Sequence, residues 1–452
     1  AIALIIVIVA FINFVNFFMA LVPVRMKAVN ICKVFGAGQG TLRWNFVFEA
    51  IGLVFIALLF ALYIVFALKD SFISNYVTCS LAFSENIATI IIVVAIAILI
   101  AVVAAVYPAF YITKFNASMA VKSGFAYSKS GRNLRSILIS TQLIVSMTLI
   151  IITAVFFLQY RFMLNYDIGI DKENVLVIFP YDFPAKSGET LIQKLEANPQ
   201  VKEVTATMSS FVGIPSSING YTKDDGSYYD VNIWYVRWNL IDFFKIPVLE
   251  GEGFTPNSNG RDMLINSCLS DNVDMKIGDK LDGWNTKGIM ANVHNMSLQG
   301  GHVNTAYLCY NDYYSGYYLR MQDNVDVKEM KEFIKTTVKE IAPFSDVIEV
   351  NTFDEHVGFY YYDIKKQVMI VAVFALIAIV ISLMGIFGIV LFETQHRRRE
   401  IGIRKVYGAT TENVINMFAR RYAVIVVICF VVAAPIAWFV SSRWLEQFAN
   451  RI

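Results

Sequence analysis

Long apolar runs divide the chain into two membrane-like blocks around a polar middle. Six runs approach or exceed the roughly 20 residues that a helix needs to cross the hydrocarbon core of a membrane. They cover residues 1–22, 45–68, 87–112, 136–160, 367–392 and 421–441. The stretch 161–365 lacks such runs. The pattern predicts an α-helical transmembrane protein with a soluble domain inserted between its membrane units.

Strand-like and helix-like patterns alternate within the polar middle. The stretches NVLVIFP and VKEVTATMS flank the helix-like ETLIQKLEAN, and later the helix-like VKEMKEFIKTTVKEIA precedes the strand-like DVIEV. Two β-α-β-like units thus flank a centre that is rich in strands and turns, which predicts an α+β domain. The aromatic runs YYSGYYLR and FYYYD are more typical of packing or of a membrane-interface belt than of a ligand site.

Charge is low overall and unevenly distributed among the loops. Charged residues make up 16% of the chain, below the roughly 25% of an average soluble domain. The loops after the first, third and fifth runs are basic, whereas the loop at 69–86 is not. Basic loops face the cytoplasm. We therefore expect the polar middle outside the inner membrane and Cys32 at the cytoplasmic face.

The apolar runs contain few groups that could carry a proton or an ion. Glu49 lies near one end of its run, and the other polar residues are uncharged, as in STQLIVSMT at 140–148. Ion-coupled carriers normally need ionisable side chains within the membrane. The hydroxyl residues, Gly385 and Gly388 are instead typical of helix packing.

Candidate catalytic and metal-binding motifs are weak. His294 and His302 lie eight positions apart, and Asp282 and Asp312 follow no metal-ligand spacing. No Ser-His-Asp set can be proposed from spacing. The Gly-rich GAGQG at 36–40 follows no strand and lacks the Lys-Ser/Thr of a phosphate-binding loop. We predict no catalytic residues, no metal site and no ATP hydrolysis by this chain itself.

The chain has five cysteines. Cys268 and Cys309 both fall in the polar middle, where they could form a disulfide only if the fold brings them together. As two buried, small apolar residues they would need no partner.

A basic segment occurs twice. VRMKAVNICKVFGAG (24–38) aligns with HRRREIGIRKVYGAT (396–410), 372 positions later from Ile31 to Ile403. Both copies contain the order Lys-Val-aromatic-Gly-Ala and lie between two apolar runs. Positive-inside charge alone would explain the number of cations but not this repeated order. A duplicated membrane unit explains both.

Each copy predicts a short helix along the membrane interface, with apolar residues on one side and cations on the other. In the second copy Gly408 would end this helix in a left-handed C-cap, and Glu400 could pair with Arg404 four positions on. Thr410 would cap the next helix, whose buried stripe we expect at Val414, Ile415 and Phe418.

REIGIRKVYGAT resembles the hallmark of FtsX/MacB-type permease subunits of ABC transporters, which dock on a separate ATPase. Further family-like stretches are YPAFYITKFNASMAVKSG, WNLIDFFKIPVLEGEGFT, MLINSCLSDNVDMKIGDKL and APIAWFVSSRWLEQFANRI. The duplicated layout is similar to the two-half permeases of Bacteroidetes. That resemblance implies that the first span, the first outer domain and the last span are missing from this chain. The first copy departs from the pattern, because Ala28 and Asn30 stand where the second has Glu400 and Gly402.

The resemblance implies four regions: a first FtsX-like membrane unit of three spans (1–124), a transmembrane helix opening the second half (125–160), a periplasmic MacB-like α+β domain (161–365) and a second FtsX-like unit with two spans (366–452). It also implies ATPase-docking residues in both basic segments. They are Arg399, Glu400, Ile401, Gly402, Arg404, Lys405, Gly408, Ala409, Lys27, Ile31, Lys33, Gly36 and Ala37.

The implied function is a permease subunit in the bacterial inner membrane. It would couple ATP hydrolysis by the separate ATPase, which binds ATP and Mg, to movement of the periplasmic domain, with export or extraction of a peptide, antibiotic, lipid or lipoprotein. Expected partners are the ATPase, membrane lipid and a periplasmic or outer-membrane protein, but no nucleic acid. The alternative is a non-transporting regulator or receptor of FtsX type that controls a periplasmic partner such as a cell-wall hydrolase.

Overall fold

The computed structural model describes residues 2–71, 80, 82–113, 129–223, 226–258, 260–296, 298, 300–310, 313–345, 347–396 and 398–452. The chain forms two compact units. The helical unit comprises Ala1–Phe156 and Lys366–Ser442, and the sheet unit comprises Phe157–Lys365 and Arg443–Ile452. The boundary expected at 124–125 lies outside the described residues.

The helices are numbered in chain order. They are α1 (Ile2–Val34), α2 (Gln39–Leu68), α3 (Ile87–Thr113), α4 (Lys129–Asn165), α5 (Gly188–Glu196), α6 (Leu240–Phe243), α7 (Ser267–Val273), α8 (Val327–Ile341), α9 (Phe353–Tyr360), α10 (Tyr362–His396), α11 (Arg398–Val406) and α12 (Thr411–Leu445).

Five helices in the described part of the chain are long and apolar enough to cross a membrane. They are Gln39–Leu68, Ile87–Phe110, Ser136–Asn165, Tyr362–Gly388 and Thr411–Leu445. These helices confirm the five predicted spans that follow the first. The first predicted span lies in α1, which is helical from Ile2 to Val34, and Ala3–Phe18 is the apolar helical stretch among its described residues.

Small residues allow the first three helices to pack closely. Ala50 on α2 and Ala101 and Ala105 on α3 are fully buried, together with Phe18 on α1 and Val47 on α2. Lipid tails are as apolar as the side chains, so close van der Waals packing between small residues helps to hold such helices together.

The sheet unit contains a mixed sheet. Its strands are β1 (Val175–Pro180), β2 (Val201–Thr207), β3 (Ser217–Thr222), β4 (Tyr228–Val236), β5 (Val248–Gly251), β6 (Asp262–Asn266), β7 (Lys280–Leu281), β8 (Trp284–Met290), β9 (Thr305–Cys309), β10 (Gly316–Met321) and β11 (Ile348–Thr352). The order is β11-β1-β10-β2-β4-β9-β6-β8-β5, with β3 on β4 and β7 on β8.

Four strands and two helices form a split β-α-β arrangement. The strands β11, β1, β10 and β2 are adjacent and antiparallel. With α5 after β1 and α8 before β11, they follow the β-α-β-β-α-β motif, and β3 to β9 are inserted between β2 and β10. This confirms the two predicted β-α-β-like units around a strand-rich centre.

Each part of the sheet unit has its own apolar core. In α8, Met330, Ile334 and Val338 recur every four residues and are buried against Leu191 and Leu195 of α5. Such spacing places side chains on one helix face. The inserted part has a second core, around Val231, Met263, Leu269 and Leu308.

A buried arginine joins β10 to the segment that follows α4. The guanidinium of Arg320 donates to the carbonyl oxygens of Glu173 (2.8 Å), Asp171 (3.1 Å) and Phe243 (2.6 Å). It also forms ion pairs with the carboxylates of Asp171 and Glu203, at 3.2 and 3.4 Å. The Arg320 side chain is only 6% exposed, so these partners must offset the cost of burying its positive charge.

Three tyrosines of the first aromatic run are buried in the sheet unit. Tyr314, Tyr317 and Tyr318 of YYSGYYLR are buried, which confirms that this run packs. Cys268 and Cys309 are free thiols, so they form no disulfide. Cys309 is buried and burial raises the pKa of its thiol to about 11, whereas Cys268 is only half-buried, contrary to the alternative in which both are buried.

Candidate docking site

Both basic segments end in the same hydrogen-bonded C-cap. In the second copy the amide of Gly408 donates to the carbonyl of Lys405 (3.0 Å) and that of Ala409 to Arg404 (3.0 Å). In the first copy the corresponding bonds are Gly36 to Lys33 (3.0 Å) and Ala37 to Cys32 (2.9 Å). This pair of bonds is the Schellman motif. The predicted C-cap at Gly408 is thereby confirmed.

The glycine of each motif has a left-handed backbone. The φ angle is +91° at Gly36 and +90° at Gly408. Residues with a Cβ rarely adopt this conformation. A Cβ added at either position would meet no atom within 4 Å, so the backbone angle alone accounts for glycine.

The same apolar positions are exposed in both copies. Val34 and Phe35 are 73% and 86% exposed, and Val406 and Tyr407 are both 87% exposed. One turn earlier, Ile31 and Ile403 are about half exposed. Each helix end therefore presents three apolar side chains that another surface must cover, either lipid or protein.

The second copy is helical from Arg398 to Val406, and residue 397, where α11 would separate from α10, lies outside the described residues. Within α11, Arg404 donates to the Glu400 carboxylate at 2.8 Å and also to the sulfur of Met417 on α12 at 2.7 Å. The hydroxyl of Thr410 accepts from the amide of Asn413 at 3.2 Å, which confirms the predicted N-cap. The buried stripe after it is wrong at Ile415, which is 60% exposed. The side chains of Val414 and Phe418 lie outside the described residues.

The first copy is not a separate helix. It forms the last turns of α1, which runs unbroken from Ile2 to Val34, so the expectation of a short interfacial helix is wrong here. The helix continues past the apolar stretch without a break. It ends at Val34, just before Gly36, whose φ is positive.

Cations of the first basic loop bind the neighbouring helices. Arg25 pairs with Glu49 on α2. The ammonium of Lys33 donates to the carbonyl of Thr113 at the end of α3, at 2.6 Å. Arg43 donates to the Thr113 hydroxyl at 2.8 Å and lies 4.1 Å from the centre of the Phe110 ring. These contacts hold α1, α2 and α3 together.

The remaining predicted docking residues differ in their surroundings. Ile401 and Ala409 are half-buried, Gly402 and Lys405 are exposed, and Ala37 packs beside the core residues Val29 and Leu42. The side chains of Lys27 and Arg399 lie outside the described residues. Asn30, which replaces the exposed Gly402, is buried and has no hydrogen-bond partner for its amide among the described residues.

His294 and His302, whose spacing is only a weak indication of a metal site, lie next to each other. The ring centres of His294 and His302 are 3.8 Å apart, and Tyr166 packs edge-on against His294 at 5.4 Å. Asp282 instead accepts a hydrogen bond from Tyr221 at 2.6 Å, and Asp312 lies outside the described residues. Among the residues that the structure describes, no three His, Cys, Asp or Glu side chains are grouped to hold a metal ion.

This histidine pair makes stability depend on pH. Burial, and then the nearby His302, lower the pKa of His294 from 6.5 to about 4. Between pH 6.5 and 4 the unfolded chain binds a proton at this histidine that the folded chain does not bind. The free energy of unfolding is therefore highest above pH 6.5 and decreases as the pH falls towards 4. We expect the unfolding temperature of the full chain in detergent to fall across this window. His294→Gln should reduce the slope and leave the value at pH 8 nearly unchanged, whereas an unchanged slope would contradict this role.

The fold also brings Ser210 and His356 together, which sequence spacing could not predict. The Ser210 oxygen lies 2.8 Å from Nε2 of His356. The same hydroxyl also contacts the carbonyl oxygen of Val212. The contacts of Ser210 with His356 and Val212 help to fix the turn at 210–213.

The spanning helices and the inserted sheet unit define a helical membrane protein with an α+β domain between its membrane parts. Residues 1–117 and 372–452 match the family described as FtsX-like permease C-terminal. These two ranges make up less than half of the chain, and they hold both basic segments. No match was found among curated proteins.

Solved structures similar to part of this chain include a periplasmic region and an extracellular domain. The periplasmic region of MacB from Actinobacillus actinomycetemcomitans is 11% identical, with a TM-score of 0.32 over 44% of this chain and 98% of that chain. The extracellular domain of the noncanonic ABC-type transporter YknZ from Gram-positive bacteria is 16% identical, with a TM-score of 0.31 over 39% of this chain and 100% of that chain.

Proposed function

We propose that this chain is the membrane subunit of an ABC transporter and that a separate ATPase docks on α11 and on the end of α1. The observation that carries the proposal is the repeated helix end. The same Schellman motif and the same exposed apolar pair occur 372 positions apart, at Val34 and Phe35 and at Val406 and Tyr407. A topology signal would need only charge, whereas a docking surface needs a fixed backbone and apolar side chains to bury.

The charge pattern supports the orientation that docking requires. The basic loops would lie in the cytoplasm, where ATP is available, and the sheet unit would lie outside the inner membrane. ATP-driven movement of the docking segments would then pass along the spanning helices to the sheet unit, and export or extraction of a peptide, antibiotic, lipid or lipoprotein would follow. ATP and Mg would be bound by the partner, since this chain has no phosphate-binding loop.

The experiment is purification of the chain from its native membranes in mild detergent. We expect an ATPase to co-purify, and we expect ATP turnover that disappears when the ATPase is stripped away and returns when it is added back. ATP turnover by the stripped chain, or the absence of any bound ATPase, would contradict the proposal.

A further inference from the structure

Helix α10 carries a stripe of small residues through the core of the helical unit. Ala375, Ala378, Ser382 and Gly385 follow one another at spacings of three and four residues, which places them on one helix face. Ala378 is fully buried and Ala375 and Ser382 nearly so. Such a face lets neighbouring helices approach closely without interlocking large side chains.

Polar contacts line this stripe where α10 meets α4 and α1. The hydroxyls of Ser382 and Ser146 on α4 are 2.6 Å apart, and Ser146 also lies 3.2 Å from the carbonyl of Ala378. A Cβ on Gly385 would lie 2.7 Å from Oδ1 of Asn13 on α1 and 3.3 Å from Oε1 of Gln142 on α4. Three helices therefore converge on Gly385.

The amides beside this contact are buried without full hydrogen bonding. Asn16 and Gln142 are each only 2% exposed. Neither amide atom of Asn16 has a partner among the described residues, and neither does Nε2 of Gln142. Asn16 lies one helical turn from Asn13, so both are near the same face of α1. Unpaired amides in an apolar interior disfavour the conformation that buries them.

We propose that the cluster of Asn13, Asn16, Gln142 and Gly385 is a water-binding contact that opens during the transport cycle. In the conformation described here the cluster is closed, and both amide atoms of Asn16 and Nε2 of Gln142 have no hydrogen-bond partner among the described residues. In the open conformation α10 separates from α1 and α4, and water binds the amides of Asn16 and Gln142. The unpaired amides lower the cost of opening, and the small residues of α10 leave few interlocked side chains to separate. The inference builds on the ATP-driven movement proposed above.

The test follows thiol labelling in the full chain with its ATPase in lipid nanodiscs. Asn16→Cys is treated with a small, polar thiol reagent with and without ATP and vanadate, and mass spectrometry locates the label, so the native cysteines stay in place. We expect labelling of residue 16 to be several-fold faster in one nucleotide condition. Val9→Cys is the matched control on the same helix, because Val9 is fully buried; it should stay unlabelled in both conditions.

A second variant tests the energetic argument. Gln142→Leu removes an unpaired amide at similar volume, so we expect a higher unfolding temperature together with several-fold slower ATP turnover by the complex. Labelling at residue 16 that is independent of nucleotide, or Gln142→Leu that leaves turnover unchanged, would overturn this inference. If the wild-type chain binds no ATPase, the proposed function itself fails, which is a distinguishable result.

Discussion

Replacing Gly408 by valine should strongly reduce the amount of ATPase that co-purifies with the chain, while leaving membrane insertion intact. The φ angle of +90° at Gly408 costs a residue with a Cβ about 1–2 kcal/mol, and a β-branched residue more. To escape this cost the end of α11 must change, so the two Schellman bonds break and Val406 and Tyr407 move. The measurement is the ratio of ATPase to chain after purification.

Three further variants separate docking from topology. Gly388→Val makes the same substitution within α10, where an added Cβ meets no atom within 4 Å, and should retain the ATPase. Glu400→Arg breaks the pair with Arg404 and should weaken binding. Gly36→Val meets the same backbone angle but should weaken binding less, since the first copy lacks the Glu and Gly found at 400 and 402. Normal ATPase binding by both Gly408→Val and Glu400→Arg would contradict docking and would leave positive charge as the role of this segment.

Arg320→Met should destabilise the sheet unit by about 3–5 kcal/mol, the range for breaking one partner out of a buried ion pair. The substitution leaves Glu203 without this cation, Asp171 with Lys245 as its remaining cation, and three carbonyl oxygens without their donor. Methionine fills a similar volume, so the loss should come from the unpaired polar groups. Thermal unfolding and limited proteolysis of the full chain in detergent would measure it.

Two control variants give a scale for this loss of stability. Lys194→Met removes the exposed pair with Glu340 and should cost no more than about 1 kcal/mol. Arg320→Lys keeps the charge but cannot reach all three carbonyl oxygens with its single ammonium group, and should fall between the two. An Arg320→Met chain as stable as the Lys194→Met chain would contradict the structural role of Arg320.

Structural features that follow from apolar runs, from the order of strand-like and helix-like stretches or from local residues could be predicted from the sequence. The apolar runs predicted the spans after the first, because a helix must be apolar over its whole length to cross hydrocarbon. The two β-α-β-like units followed from the order of strand-like and helix-like stretches, such as NVLVIFP and VKEMKEFIKTTVKEIA. The C-cap at Gly408 and the cap at Thr410 were also predictable, since both depend on local residues.

Contacts between distant segments were not predictable. Gly385 was expected to pack, but nothing in the sequence placed Asn13 and Gln142 beside it. Gly388, expected to pack as well, would meet no atom within 4 Å with an added Cβ. The partners of Arg320 lie up to 149 positions away in the sequence. Helical spacing predicts a buried stripe after Thr410, yet Ile415 is 60% exposed, because an apolar helix face in a membrane protein can contact lipid or a partner.

The central claim, that an ATPase docks on the two repeated helix ends, is tested most directly by cross-linking in native membranes. Three variants each carry a photoreactive residue, in place of Val406, Val34 or Ile428. Ile428 is an exposed position on the spanning part of α12. The account predicts a covalent product with the ATPase from Val406 and from Val34, and a product with lipid alone from Ile428. Products with lipid alone from all three positions would contradict it.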